Sequence, residues 1–371
     1  MKRIGNIWLR VTSWPNLLLA ARKAKRGKRA RPVVQRFQFR AEWELLELQQ
    51  QLLDGTYRPG PFTTHTITRP KTRLISAAPY RDRVLHHALM NVLEPIFDRT
   101  FHPHSFACRK GKGTHAAADR LQRLMRTYRY AISCDVRQFF PSIDHDILKQ
   151  SMRRKLKDHK VLDLIDLLID GSNEQSPVLE YFPGDDLFTP AERRRGLPIG
   201  NLTSQWFANL YLDGLDHFVT SRLGFGAYVR YCDDFVVLGN DKAALRAAFA
   251  SIVEFTNGLR LKLHEDRAQV RAVRQGITFV GFRIWPTHRY LTKDNLRKFR
   301  RRLRWMEREC LAGRLPYEDV LRRVQSWVGH AINANSDSQL LKTWDRLRLL
   351  KKKAKIFLAQ NQSQEEKKDK E

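Results

Sequence analysis

Asp135 closes the apolar run Tyr130 to Val136 (YAISCDV), and Asp233-Asp234 interrupt a second one, Phe225 to Leu238 (FGAYVRYCDDFVVL). The first run reads as a buried strand with an acid near its tip, the second as strand, tight turn, strand. If these strands are neighbours, their carboxylates meet and repel unless a divalent cation bridges them. Hard oxygen ligands with room for substrate phosphates suit Mg²⁺. Two such ions are a device for in-line phosphoryl displacement, one activating the attacking hydroxyl and one stabilising the leaving oxygen. Side chains alternate along a strand, so Asp233 is expected as the direct ligand and Asp234 as a weaker or supporting one. An isolated Asp-Asp pair is also an ordinary turn former. The other such pair, Asp185-Asp186, has no strand around it and reads as loop surface.

The chain that must position these acids has 371 residues, 42% hydrophobic and 10% aromatic, enough apolar material for two or three structural units. Lys+Arg 68 against Asp+Glu 39 gives a net charge of +29, a field that recruits polyanions, either nucleic acid or an anionic membrane face. The longest uncharged stretch, Gly196 to Leu212, contains Asn201, Thr203, Ser204, Gln205 and Asn209, costly in lipid, so no membrane span is expected. The N-terminus has a basic start without an apolar core or cleavage site, so the expected location is the cytoplasm. Cys108, Cys134, Cys232 and Cys310 lie far apart, which indicates neither a zinc site nor a disulfide framework.

Along the chain, Arg22, Lys23, Lys25, Arg26, Lys28, Arg29, Arg31 and Arg36 form a block without an acid, lying on a polyanion or solvated as a tail. A helix is predicted over Phe37 to Leu53, a basic hairpin around Pro70-Lys71-Thr72-Arg73, a helix over Asp82 to Phe97 broken late by Pro95, and another from Gly113-Thr114 to Tyr128. The loop Cys108 to Gly113 is basic and glycine-rich but lacks the spacing of a P-loop. A long helix is predicted over 145–170, an apolar helix after the loop Gly196 to Gln205, and helices throughout from Asp294, with Arg297, Lys298, Arg300, Arg301, Arg302 and Arg304 in one stretch. Residues 360–371 read as a charged, disordered end.

Taken together, Tyr231-Cys232-Asp233-Asp234, Asp135 to Phe140 (DVRQFF), Gly196 to Gln205 (GLPIGNLTSQ), Pro70 to Arg73 upstream and Phe279-Val280-Gly281-Phe282 downstream resemble the reverse transcriptase family in type, order and spacing over roughly residues 60 to 285. The resemblance implies an RNA-directed DNA polymerase with an α+β right-hand fold: fingers, a palm of antiparallel sheet and packed helices, and an all-helical thumb. The domains implied are a basic extension and first helix at 1–58, fingers at 59–130 with 146–195 contributing, palm at 131–285, thumb at 286–358 and a disordered tail at 359–371. It makes Asp135, Asp233 and Asp234 catalytic, and Asp135, Val136, Asp233 and Asp234 the holders of two Mg²⁺ ions, with Mn²⁺ as a substitute. Lys71 and Arg73 look like the fingers residues that grip the triphosphate, a task suited to a guanidinium fork and a compact ammonium. Phe140 matches the steric gate that favours dNTPs over ribonucleotides, while Phe139 is the better candidate for core packing. The dNTP set implied is completed by Ile199, Gly200 and Gln205. Phe279, Val280, Gly281 and Phe282 look like the primer grip. Arg22, Lys23, Lys25, Arg26, Lys28 and Arg29, together with Arg297, Lys298 and Arg301 of the thumb, are the expected nucleic-acid contacts. Where many relatives carry a lysine as general acid, this chain offers Arg267 or Lys262, and the role is left unassigned.

Within the family, Ile199 stands where most members have Gln and Gln205 where most have Pro. That form is similar to the reverse transcriptases of bacterial and phage diversity-generating retroelements, in the wider group II intron-like superfamily. The compact size, Arg109 to His115 (RKGKGTH) and Ser326 to Ala331 (SWVGHA) share the similarity. It implies copying of a template-repeat RNA, from a DNA or RNA primer, into cDNA with frequent errors opposite adenines, and a small basic accessory protein that assembles as a ring. Two alternatives stand beside it. One is another prokaryotic reverse transcriptase, of phage-defence, retron or group II intron type, although the chain ends soon after the thumb and further maturase or endonuclease regions are not expected. The other is a catalytically idle RNA-binding scaffold, against which the intact acids argue.

Overall fold

The computed structural model describes residues 2–68, 72–172 and 180–368, with side chains as far as residue 352. The chain forms two compact units: Met1–Gly113 with Ile132–Val237 and Lys242–Gln269, and Thr114–Ala131 with Leu238–Asp241 and Val270–Glu371.

The first unit begins with helices Trp8–Thr12 and Trp14–Ala24. Leu17, Ala20, Ala21 and Ala24 fall on one face of the second, and this face is buried against the Tyr80–Asp98 helix. That helix in turn buries Leu85, Leu89, Leu93 and Phe97 at helical spacing. Each such side chain removed from water is worth roughly 1.5 to 3 kcal/mol, so this pairing is a main source of cohesion. A hairpin of β1 (Thr63–Ile67) and β2 (Arg73–Ala77) follows in antiparallel register, Thr63 opposite Ala77. The central strands are β3 (Tyr130–Asp135), β4 (Tyr228–Tyr231) and β5 (Asp234–Gly239), side by side in the order β4, β5, β3. β4 and β5 pair antiparallel with Tyr231 opposite Asp234, which leaves Cys232 and Asp233 as a two-residue turn. The Leu202–Tyr211 helix buries Trp206, Phe207, Leu210 and Tyr211 in the same unit.

The second unit holds the Thr114–Met125 helix, β6 (Val270–Ala272) and a three-stranded sheet of β7 (Ile277–Phe279), β8 (Phe282–Ile284) and β9 (Arg289–Leu291). Three helices follow, Lys293–Leu311, Tyr317–Ala331 and Asp337–Lys368. Phe299, Leu303, Met306, Val320, Val324, Leu347 and Leu350 form their shared core. Trp327 stacks on Phe299 with centroids 3.6 Å apart and donates its indole N–H to Asn295 Oδ1 at 3.1 Å, satisfying its polar edge. Among the described residues no helix is long and apolar enough to cross a membrane.

Several expectations change. In the basic stretch at 22–36, Arg22, Lys23 and Arg36 lie on helices whose other faces are buried, while Lys25, Arg26, Lys28, Arg29 and Arg31 lie in the turn-rich connection between those helices. The predicted helix over 37–53 is two, Pro32–Phe39 and Ala41–Leu53. Pro95 does not break its helix, which continues to Asp98. The long helix over 145–170 is divided into His145–Lys155 and His159–Asp170. Asp158 sits at the break, where its carboxylate accepts from Val161 N at 3.4 Å, Ile7 N at 2.7 Å and Trp8 N at 3.0 Å. Asp185 is not bare loop surface but is paired with Arg193. The last helix runs to Lys368 over the stretch expected to be disordered; its Lys, Gln and Glu are good helix formers. Residues 114–131 and 270–285 group with the C-terminal helices in the second unit, a division that does not itself assign fingers or palm.

Candidate active site

The Tyr231 to Asp234 turn is tight enough that Cys232 adopts the left-handed region, with φ +60°. A non-glycine residue there is strained, and such strain clusters at functional sites. Val136 N donates to Asp233 O at 3.3 Å, which joins the end of β3 to the turn. Asp135 and Asp233 line one cavity of about 500 Å³, together with Val136 and Cys232. Asp234, the first residue of β5, is not part of that lining.

Burial raises the Asp233 carboxyl above its ordinary range, and the nearby Asp135 charge pushes the same way. Burial, with the charges of Asp135 and Asp233, lifts Asp234 well above it. Desolvated carboxylates that repel one another are the environment a divalent cation relieves. Among the described residues no three His, Cys, Asp or Glu side chains converge on a single metal point. The site is therefore an Asp135/Asp233 pair with the Asp234 charge beside it, and this all-oxygen set fits a hard divalent ion.

The rest of the wall comes from four segments. Arg73, at the start of β2, lines the cavity, and its charge acts on Asp233. Lys71 lies outside the described residues. Phe139 and Phe140 both line the cavity with rings 5.6 Å apart; Phe139 is buried at 3% exposure while Phe140 is half-buried. Ile199 is held by its backbone, because Ser76 N donates to Ile199 O at 3.0 Å. Gly200 follows at φ +115°, where a Cβ would stand 3.2 Å from Ile75 Cγ2, so only glycine lets the loop pass this close to β2. Gln205 does not line the cavity. It sits on the Leu202–Tyr211 helix with its Oε1 accepting from Cys108 Sγ at 3.4 Å, because the helix begins before it and turns it away.

His264 is a wall residue that sequence reasoning missed. Val136 bridges Leu263 antiparallel, and His264 N donates to Asp135 O at 2.9 Å, which brings this segment alongside β3. Of the two residues weighed for the general acid, Lys262 donates to Asn257 Oδ1 at 3.1 Å, and Arg267 pairs with Asp266 at 3.6 Å; neither lines the cavity.

In the second unit, Val280 and Gly281 form the two-residue turn between β7 and β8, with φ +44° and +87°. Phe279 and Phe282 point into the core, and Phe282 stacks on His330 at 4.3 Å. Arg22, Lys23, Arg26 and Arg29 are exposed, whereas Lys25 donates to Gln38 Oε1 at 2.7 Å and Lys28 is half-buried. On the Lys293–Leu311 helix, Asp294 pairs with Arg297 at 3.0 Å and also with Lys298, and Arg301 is exposed.

Residues 64–284 match the family described as "Reverse transcriptase (RNA-dependent DNA polymerase)". The chain belongs to the reverse transcriptase family. This reverse transcriptase is 26% identical over 290 residues to Protein YkfC of Escherichia coli (strain K12), covering 67% of this chain and 72% of that protein. It is 28% identical over 182 residues to the group II intron-encoded protein LtrA of Lactococcus lactis subsp. cremoris, covering 48% of this chain and 28% of LtrA. Among solved structures, apo telomerase from Candida tropicalis, truncated from its C-terminal domain, aligns with TM-score 0.47 and 14% identity, over 68% of this chain and 60% of that one.

Proposed function

We propose that this reverse transcriptase serves a diversity-generating retroelement, copying a template-repeat RNA in the cytoplasm into cDNA with frequent errors opposite adenines. The observation that carries polymerisation is the sharing of one cavity by Asp135, Asp233, Arg73 and Phe140. Asp135 and Asp233, assisted by Asp234 and by Val136 at the end of β3, would hold two Mg²⁺ ions, or Mn²⁺ in their place. When bound, such ions lower the pKa of an attacking hydroxyl and stabilise the leaving phosphate oxygen. Arg73 orients the triphosphate of the incoming dNTP through its guanidinium fork. The Phe140 ring takes the volume of a ribose 2′-hydroxyl, and Phe139 behind it fixes that ring.

The error-prone copying rests on Ile199. An apolar side chain in the cavity wall offers no hydrogen bond to reward correct pairing, and selectivity is a difference of affinities. Gln205, bonded to Cys108 instead, has no part in that discrimination. A basic ring-forming accessory protein is the proposed partner in holding the template. Kinship with LtrA favours a second reading, a group II intron-type enzyme.

Primer extension on a defined RNA template with Mg²⁺ and dNTPs, followed by sequencing, decides between the two. Adenine-biased errors, absent from the Asp233→Asn reaction and reduced in Ile199→Gln, are expected. Accurate cDNA from the wild type would move the enzyme to the second reading, and no synthesis with or without an accessory protein would remove polymerisation itself.

A further inference from the structure

The buried guanidinium of Arg230 lies in the middle of β4, two residues before the left-handed Cys232. Its side chain and that of Asp216 are each 0% exposed. Nε donates to Asp216 Oδ1 and Nη2 to Asp216 Oδ2, both at 2.6 Å, a bidentate fork. Tyr228 OH donates to the same Oδ1 at 2.7 Å. Nη1 donates to the Cys232 carbonyl at 3.0 Å and to Asn209 Oδ1 at 3.2 Å. Asn209 is itself anchored, its Nδ2 donating to Ala107 O at 2.9 Å.

A fully buried ion pair is a weak explanation for stability, because removing two charges from water offsets most of their attraction and well-packed apolar residues often do as well. What an apolar pair cannot supply is the remaining guanidinium N–H. That donor reaches the first residue of the catalytic turn, the one whose backbone is strained. The carbonyl it holds fixes the peptide plane between Cys232 and Asp233, and with it the direction in which the Asp233 carboxylate leaves the turn.

We infer that Arg230, oriented by Asp216, is a positioning residue for the catalytic turn, acting through the Cys232 carbonyl to aim Asp233 into the cavity. The inference rests on the polymerase reading for its kinetic consequence but not for its structural one. The test compares the wild-type full-length chain with the apolar pair Arg230→Met/Asp216→Leu and with Arg230→Lys, which keeps the charge but lacks the fork. Melting temperature, template–primer affinity, kcat and KM for dNTP, and Mn²⁺ affinity by electron paramagnetic resonance are measured for each.

The apolar pair leaves the Tyr228 hydroxyl, Asn209 Oδ1 and the Cys232 carbonyl without these buried partners, so it is expected to fold but to melt below the wild type, and to bind template–primer equally well. Its kcat should fall about 100-fold with little change in KM, the size expected for a misplacement near 1 Å. Its Mn²⁺ affinity should weaken about 10-fold, as for other residues that orient metal ligands. A folded variant in which either kcat or Mn²⁺ affinity stays at the wild-type value overturns the inference. If the apolar pair does not fold, Arg230→Lys is judged by the same two readouts. If the wild type does not polymerise, the polymerase reading fails, and Mn²⁺ affinity alone then decides the role of Arg230.

Discussion

Two hairpin turns of two residues each carry a left-handed non-glycine residue, Cys232 at φ +60° and Val280 at φ +44°, and they are braced by opposite means. The Cys232-Asp233 turn is braced by charge: a buried Arg230–Asp216 pair stands behind it, against the repulsion of the carboxylates in front. The Val280-Gly281 turn is braced by shape. Phe279 and Phe282 are buried at 1% and 0% exposure, His330 covers Phe282, and Arg289 lies 5.4 Å over the same ring while pairing with Asp119 at 2.6 Å. A Cβ on Gly281 would stand 3.2 Å from His330 Nε2, which has no hydrogen-bond partner among the described residues. A turn that must aim charge is held by directional bonds, and one that only presents backbone is held by packing.

The difference can be broken most sharply at the acids. Asp233→Asn or Asp135→Asn should lower RNA-templated extension about 1,000-fold or more, since metal-assisted charge stabilisation is worth several kcal/mol and each 1.36 kcal/mol is tenfold. Filter binding of template RNA should be unchanged; a parallel loss of binding would mean the acids hold the fold rather than the reaction.

At the second turn, Gly281→Ala combines a positive φ with the contact to His330 and should cost about 1 to 3 kcal/mol in thermal unfolding. His330→Ala in the same chain should return part of that loss, whereas simple additivity in the double-mutant cycle would show that packing against His330 is not the brace.

The two turns should also have opposite pH signatures. Asp234 has a raised folded-state pKa, so its favourable contribution is present below the unfolded value of about 3.9 and is lost as pH rises through the folded one. Asp234→Asn should therefore raise the melting temperature of the metal-free protein by a few degrees at pH 7, with the gain fading in acid. A lower melting temperature at pH 7 would contradict the repulsion described here. His330 is depressed chiefly by burial and also by His115 and Arg289. Its contribution is present above the unfolded value of about 6.5 and is lost as pH falls through the folded one. His330→Phe should flatten the acid side of the stability curve slightly, and an unchanged slope would remove His330 as its source. The buried His86, lowered to about 4, contributes the same trend in both proteins and so cancels in the comparison.

The acids were legible because each ends or interrupts an apolar run, and a carboxylate in that setting needs a chemical reason. The β7–β8 turn was legible as a motif, but its membership of the second unit was not, because long-range packing decides it. His264 was hidden, since a histidine in a polar segment gains meaning only from the Val136–Leu263 bridge. Arg230 left a trace, a charged residue inside an apolar strand, but its partner Asp216 lies in a helix before that strand with nothing in the spacing to connect them. Gln205 shows the converse error. It shares a loop motif with Ile199, yet one helical turn between them sends the two side chains to different places. The division of the 145–170 helix was equally hidden, because Asp158 acts there on Ile7 and Trp8 far away in sequence.

Cys232 places a thiol in the wall of the reaction cavity, and burial, reinforced by the Asp233 charge, holds that thiol well above its usual pKa. Only the thiolate reacts readily with alkylating agents, peroxides or disulfides. The burial that raises the carboxylates thus leaves their sulfur neighbour chemically quiet. Covalent thiol-directed inhibitors aimed at this cavity therefore find a poor nucleophile at Cys232.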